Sequence, residues 1–443
     1  MPKGPPDPQW WQTIQGIFRP LEYSEAARKR YGDIFTFRFL NAYYVVVCDP
    51  QGIQKIFTAD PDLFDSGKAN AAFFQPSLGE NSLVLLDGKR HQRQRKLLMP
   101  PFHGERMRTY GRLICEIAEQ TVDRWQIGEP FVMRDATQDI SLRVILRAVF
   151  GLAEGDRLQQ LRHTLTQMLE VTASPLRASL LFVPALQRDL GAWSPWGRFL
   201  RLRQQVDDLI YAEIADRRQQ EPGEDILSLM MSARDEDGKP MTDVELRDEL
   251  MTLLFAGHET TATALAWAFY WIHHQPEVGE KLLRELDGVG ADADPVEVAR
   301  LPYLHAVCCE TLRICPVVLF TFARMLKAPF EVMGYQLEPG TVLLPSIYLT
   351  HRREDLYPEP EKFKPERFLE RKYSAYEFIP FGGGDRLCIG YAFAQYEMKL
   401  VLATAMQCVR LQLANRRPVV PVRRGLTMSP SGGVRMVAID RRQ

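Results

Sequence analysis

Apolar residues along the chain follow two rhythms, one of period two in short stretches and one of helical spacing over most of the rest. Between Asp33 and Asp49, Phe35, Phe37 and Phe39 alternate, Asn41-Ala42 supplies a turn, and Val45 and Val47 resume the alternation; two such runs predict a β-hairpin. From His103 to about Arg218 the spacing is helical, broken near Ser174-Pro175, Pro184 and Ser194-Pro195, so several helices with a mobile connection are expected. After the polar stretch 234–240, Thr242-Asp243-Val244-Glu245 has the form of a capping box and opens a long helix. A further helix runs from Pro302 to Pro316. Residues 330–347, punctuated by Met333-Gly334 and Glu338-Pro339-Gly340, read as short strands. The last helix follows Gly390, and strands return around Pro430-Ser431-Gly432-Gly433. With no internal repeat, this predicts a mainly α fold with a minor, segregated β region: one domain over residues 21–443, preceded by a proline-rich N-terminal segment, residues 1–20.

The apolar run 250–272 is long enough to span a bilayer, but His258 and Glu259 stand within it and are costly in lipid, so a buried core helix is predicted. The polar, proline-rich start offers no signal peptide or transmembrane anchor. Seven cysteines (Cys48, Cys115, Cys308, Cys309, Cys315, Cys388 and Cys408), scattered and without a Cys-x-x-Cys pair, suit a reducing compartment, hence a soluble, cytoplasmic protein. Hydrophobic residues at 46% and charged residues at 25% give core enough to enclose a cofactor. A net charge of -1 lacks the basic excess of a nucleic-acid binder, so the run from Lys89 through Arg90, His91, Arg93 and Arg95 to Lys96 needs a local explanation.

Phe381-Gly382-Gly383-Gly384-Asp385-Arg386-Leu387-Cys388-Ile389-Gly390 places a cysteine in a glycine-rich loop just ahead of a helix. Loop amides, a helix N-terminus and the nearby guanidinium of Arg386 all favour a thiolate, the form in which cysteine binds metal. The glycines let backbone approach a flat group, Phe381 can pack beneath the loop, and Arg386 can meet a cofactor carboxylate. A lone cysteine is more often a small buried residue beside a turn; the flanking pattern is what favours the ligand. That pattern, Phe-x-x-Gly-x-Arg-x-Cys-x-Gly, resembles the signature of the cytochrome P450 family. The resemblance implies that Cys388 is the axial ligand of a haem iron. It also implies a single-domain fold with haem b, iron protoporphyrin IX, between a long oxygen-side helix and the proximal Cys loop, bordered by Phe381, Gly382 and Gly390.

Ala256-Gly257-His258-Glu259-Thr260-Thr261 resembles the family's oxygen-activating segment. Ala256 and Thr260 share a helix face, Gly257 leaves room for dioxygen, and Glu259 with Thr260 forms an acid–alcohol pair for proton delivery. The plainer reading is that Thr260 bonds back to the Ala256 carbonyl and Glu259 is a solvated position. His258 reads as a helix-packing histidine. Glu310 and Arg313, three apart on one helix, and Arg367 in Pro365-Glu366-Arg367-Phe368 resemble the family's structural Glu-Arg-Arg network, bracing the Cys388 loop. His91, Arg95, Arg324 and Arg386 resemble the partners of the haem propionates. The leftover cations Lys89, Arg90, Arg93 and Lys96 are a solvated face or a docking face for an acidic electron donor.

Phe73, Phe74, Leu254, Phe255, Val318, Leu319, Phe320 and Met428 are the expected substrate contacts, about half of them core residues instead. The resemblance implies a monomeric haem-thiolate monooxygenase that hydroxylates a small hydrophobic substrate, a fatty acid, alkane or terpene-like molecule. Dioxygen and a separate electron donor, a ferredoxin with ferredoxin reductase, complete the reaction, because no flavin fingerprint or iron–sulfur cysteine cluster occurs in the chain. The alternatives are a peroxide-using or isomerising haem-thiolate enzyme and, least supported, a haem sensor.

Overall fold

The computed structural model describes all residues except 40, 41, 103, 105, 152–154, 222, 291, 292, 416 and 443, and the side chain of residue 184. Asn41 and His103, where a turn and a helical stretch were expected, lie outside the described residues.

The capping box forms as the sequence predicts: Thr242 Oγ1 accepts the Glu245 N–H and the Glu245 carboxylate accepts the Thr242 N–H. It opens the helix Asp243–His274, about 48 Å long at 1.5 Å per residue. This helix is buried on nearly every side, which explains an apolar run with no polar stripe. It packs chiefly along the helix Met133–Phe150, and the helix Tyr391–Cys408 lies against both it and Arg106–Val122. Together these helices hold the main core. No helix among the described residues is long and apolar enough to cross a membrane.

The β region is set apart. The predicted hairpin pairs Ile34–Phe39 antiparallel with Ala42–Val47 and is the edge of a five-stranded sheet. Val342–Pro345 follows in parallel, then Arg324–Leu326 and Phe64–Asp65. A three-stranded sheet joins Pro130–Val132, Arg435–Arg441 and Val409–Leu413. Two hairpins, Phe330–Val332 with Tyr335–Leu337 and Pro421–Arg424 with Thr427–Pro430, complete the set.

The proline-rich start is folded onto this body. The carbonyls of Pro2 and Lys3 accept hydrogen bonds from the Thr36 hydroxyl and N–H. Residues Gln9–Phe18 form a helix against the first strand.

Candidate active site

Between the long helix, the β region and the Cys388 loop lies a cavity of about 520 Å³. The loop's shape is set locally. The Cys388 N–H closes a turn on the Phe381 carbonyl at 3.0 Å, and Gly384 sits at φ +67° with its missing Cβ 2.5 Å from the Phe57 carbonyl, a place only glycine fits. A Cβ on Gly383 would meet the Phe57 ring at 2.3 Å. Gly383 therefore approaches the Phe57 ring and Gly384 its backbone carbonyl, whereas Gly382 and Gly390 line the cavity. A Cβ on Gly390 would meet no protein atom within 4 Å.

Cys388 lines the cavity beside Phe381. Burial pushes its thiol up, while the Gly390 N–H and Arg95 pull it down. The helpful guanidinium is thus Arg95, not Arg386 as the sequence suggested. Arg386 is engaged elsewhere, with Asp87, with Asp385 at 3.1 Å and with the Leu83 carbonyl. Asp87 in turn accepts the N–H groups of Ser66 and Gly67. Arg324, fully buried, donates to the Gly383 carbonyl at 2.8 Å, approaches Asp385 at 3.6 Å and lies over the Phe57 ring; burial pushes its guanidinium down to about 10.

His91 is buried on the same helix as Arg95, and burial together with Arg386 pushes its imidazole down to about 4. Neither side chain makes an ion pair or hydrogen bond to the described residues. Cys388 and Arg386 on the cavity wall, an open space beside Gly390, and, behind the wall, His91 and Arg95 without carboxylate partners among the described residues fit a flat anionic group such as haem. Asp87 and Asp385, which the sequence reading did not single out, pair instead with Arg386 and Arg324.

Behind the loop, Arg313 Nε and Nη2 grip the Glu310 carboxylate at 2.7 and 2.8 Å, and Arg367 Nε reaches it at 3.1 Å. All three are buried. Arg313 also donates to the carbonyls of His351, Pro360 and Lys362. His351 then carries the link onward: its Nε2 accepts the Ile379 N–H at 2.9 Å, two residues before Phe381, and its ring stacks on Phe378. Burial and Arg313 push this imidazole down to about 3, leaving it a neutral acceptor. Sequence gave no sign of His351, since no motif surrounds it.

On the opposite wall, Ala256 and Thr260 share the cavity face, and the Thr260 hydroxyl donates to the Ala256 carbonyl at 2.6 Å. Glu259 is not solvated. Its Oε1 takes the Arg134 guanidinium at 2.5 Å and approaches Arg424 at 3.5 Å, so the expected pair with Thr260 is not assembled: the arginines hold the carboxylate. Gly257 lines the cavity, and a Cβ there would lie 2.9 Å from Ile145 Cδ1, so the small residue also lets the neighbouring helix pack close. His258 is buried, with Nδ1 2.6 Å from the Leu254 carbonyl, a packing role.

Phe73, Phe74, Phe255, Val318, Leu319 and Phe320 line the cavity. Leu254 and Met428 do not: Leu254 is buried in the main core, one helix step from Phe255, and Met428 packs in a second core cluster with its carbonyl accepting Trp267 Nε1. Phe182, Phe199, Phe322 and Arg423 line the cavity unforeseen. The basic run on the helix Gly88–Leu98 is also less free than expected. Arg93 pairs with Asp235 and Glu245, and Lys96 with Glu236, so the acidic stretch near 235 neutralises part of the supposed docking face.

The family model for cytochrome P450 matches residues 2–434. "Putative cytochrome P450 135B1" of Mycobacterium tuberculosis is 36% identical over 440 residues, 98% of this chain and 90% of its own length. "Putative cytochrome P450 138" of the same organism is 34% identical over 414 residues, covering 92% and 89%. Among solved structures, "Retinoic acid bound cyanobacterial CYP120A1" superposes with a TM-score of 0.86 at 24% identity, covering 100% of this chain and 99% of that one. "Crystal structure of cytochrome P450DA heme domain" gives 0.86 at 22%, covering 100% and 98%. A match over nearly the whole length, on a fold that superposes as closely as this, shows that the chain belongs to the cytochrome P450 family of haem-thiolate monooxygenases.

Proposed function

We propose that this protein holds haem b and hydroxylates a small hydrophobic substrate, of fatty acid, alkane or terpene-like type. Its electrons come from a separate protein, a ferredoxin reduced by ferredoxin reductase. The observation that carries the reading is the one cavity in which Cys388, the Ala256–Thr260 face and the rings of Phe73, Phe74 and Phe320 meet. Apolar walls with few polar groups suit a substrate held by burial. Seven free cysteines support a reducing, cytoplasmic setting.

In this reading Cys388 ligates the iron, His91, Arg95, Arg324 and Arg386 hold the haem carboxylates, and Phe381, Gly382 and Gly390 border the ring. Bound haem supplies the activation of dioxygen, of which one atom enters a C–H bond and the other leaves as water on uptake of two electrons and two protons. The chain contributes the rest. Its apolar walls exclude water and orient the substrate. The Thr260 hydroxyl, on the cavity face, can pass on its proton by turning from the Ala256 carbonyl, and Glu259 can replace that proton once its carboxylate leaves Arg134 and Arg424 and takes one up from water.

The test is a carbon monoxide difference spectrum of the reduced protein, followed by turnover with ferredoxin, reductase and a library of apolar substrates. A spectrum of histidine-ligated haem, or none, overturns the reading. The ion-paired position of Glu259 favours a second reading, a peroxide-using enzyme. Turnover with hydrogen peroxide that exceeds turnover with the electron donors supports that alternative.

A further inference from the structure

The cavity wall carries a guanidinium outside the Cys388 loop, and no acid among the described residues pairs with it. Arg423 stands on the hairpin Pro421–Arg424 with Thr427–Pro430 and lines the cavity. Its Nε donates to the Ile17 carbonyl and its Nη2 to the Gly16 carbonyl, each at 3.1 Å. These carbonyls belong to the last turn of the helix Gln9–Phe18, whose negative end favours a cation. The guanidinium also lies 5.0 Å over the Phe182 ring, a further attraction.

No carboxylate among the described residues pairs with it. Of the five N–H groups of an arginine, two are used by these carbonyls and the rest have no partner among the described residues. Its neighbour Arg424 differs, being committed to Glu170 and Glu259. Burial pushes the Arg423 guanidinium down to about 10, with no acid opposing the shift, so at neutral pH it is still a cation. An enclosed charge without its counter-charge is costly, and an anion that enters the cavity removes that cost.

From Arg423 the wall runs inward over aromatic rings. Phe182 lies 5.6 Å from Phe73, its neighbour Phe74 lies 5.6 Å from Phe322, and the Phe322 carbonyl accepts from Arg324, which holds Gly383 of the Cys388 loop. An apolar chain laid along these rings would hold its anionic group at Arg423 and point its other end toward the Cys388 loop.

We propose that Arg423 is the anchor for a single carboxylate on the substrate, so that the substrate is an apolar carboxylic acid and is oxidised at carbons distant from that group. The proposal rests on the reading of this cavity as the substrate site. It narrows the substrate class to acids and sets the orientation. The competing role for Arg423 is to cap the helix Gln9–Phe18 and nothing more.

The test is binding to the ferric holoenzyme, followed by the absorbance shift of the haem and by calorimetry, with octanoate, dodecanoate and hexadecanoate against the matching alcohols. Charge-assisted bonds of this kind predict that the best acid binds about tenfold or more tighter than its alcohol. Arg423→Gln removes that preference and leaves alcohol binding within about threefold, and Arg423→Lys retains part of the preference. Equal binding of every acid and its alcohol by the unaltered enzyme overturns the proposal, as does equal weakening of both ligands in Arg423→Gln. Should Arg423→Gln fail to fold, the acid–alcohol comparison on the unaltered enzyme and Arg423→Lys decides alone. The carbon monoxide difference spectrum of the unaltered protein separates the two levels: its failure removes the haem-thiolate reading, whereas loss of acid preference with a normal spectrum removes only the anchor.

Discussion

Thr260 lines the cavity and donates its hydroxyl hydrogen to the Ala256 carbonyl, so the hydroxyl stands where it can accept a proton and pass one on. Thr260→Ala removes the hydroxyl without a charge or a large volume change. The haem spectrum and substrate affinity should stay near those of the unaltered protein, while the yield of product per electron falls about tenfold and hydrogen peroxide rises; Thr260→Ser should restore much of the coupling. Unchanged coupling in Thr260→Ala would exclude the hydroxyl from proton delivery. The helix period alone made Ala256 and Thr260 legible as a shared face. The partner of Glu259 was not legible, because Arg134 lies 125 residues away and the pairing is fixed by how two helices pack, not by any local spacing. The same holds for Gly257, whose neighbour Ile145 belongs to that other helix.

The element that presents Cys388 is a loop, and its rigidity is borrowed. Glu310 receives two guanidinia and the Lys364 N–H, so its carboxylate is saturated in a fully buried place. Glu310→Gln leaves two buried guanidinia short of an anion, and a loss of about 3 to 5 kcal/mol in unfolding free energy is expected, with incomplete retention of haem in the purified protein. His351 is the milder case. His351→Phe keeps the stacking on Phe378 but removes the acceptor for the Ile379 N–H, so a cost of about 1 to 3 kcal/mol is expected. Because Ile379 leads directly into Phe381, the carbon monoxide spectrum of that variant should also contain a larger inactive fraction. A melt unchanged from that of the unaltered protein would show that the bond carries no such load. The helices, the capping box and the hairpin were legible from period and local chemistry, and so was the Glu310–Arg313 pair, three apart on one helix. The loop's true neighbours, Phe57, Asp87 and His351, come from segments far apart in sequence, and only the tertiary fold brings them together.

Across the whole molecule, burial of ionisable groups away from the cavity sets how stability responds to pH. Glu249 and Glu397 are wholly enclosed; the Leu83 N–H and the Gln94 side chain face the Glu249 carboxyl, and the Ser141 hydroxyl donates to Glu397. Burial pushes both up to about 8 from an ordinary value of 4.5. Across that window the folded chain keeps two protons that the unfolded chain releases, so stability falls as pH rises and the loss is complete above about pH 8. His273 and His351 behave oppositely. Burial pushes them down to about 4 and about 3, so the folded chain refuses protons that the unfolded chain takes up below about pH 6.5, and stability falls as pH drops. Between about 4.5 and 6.5 the carboxyl pair and the histidines oppose each other; His258 and His305, also pushed down by burial, add to the acid-side loss, so stability should rise gently across this window, leaving aside His91, whose surroundings change with the haem. Above about pH 6.5 the two carboxyl groups dominate, and urea unfolding should show a decline of up to about 3 kcal/mol per pH unit toward pH 8. Glu249→Gln combined with Glu397→Gln should flatten that decline without moving the loss on the acid side. Stability that rises from pH 6.5 to 8 in the unaltered protein would mean that the two carboxyl groups ionise freely in the folded chain, and that the core around the long helix admits water.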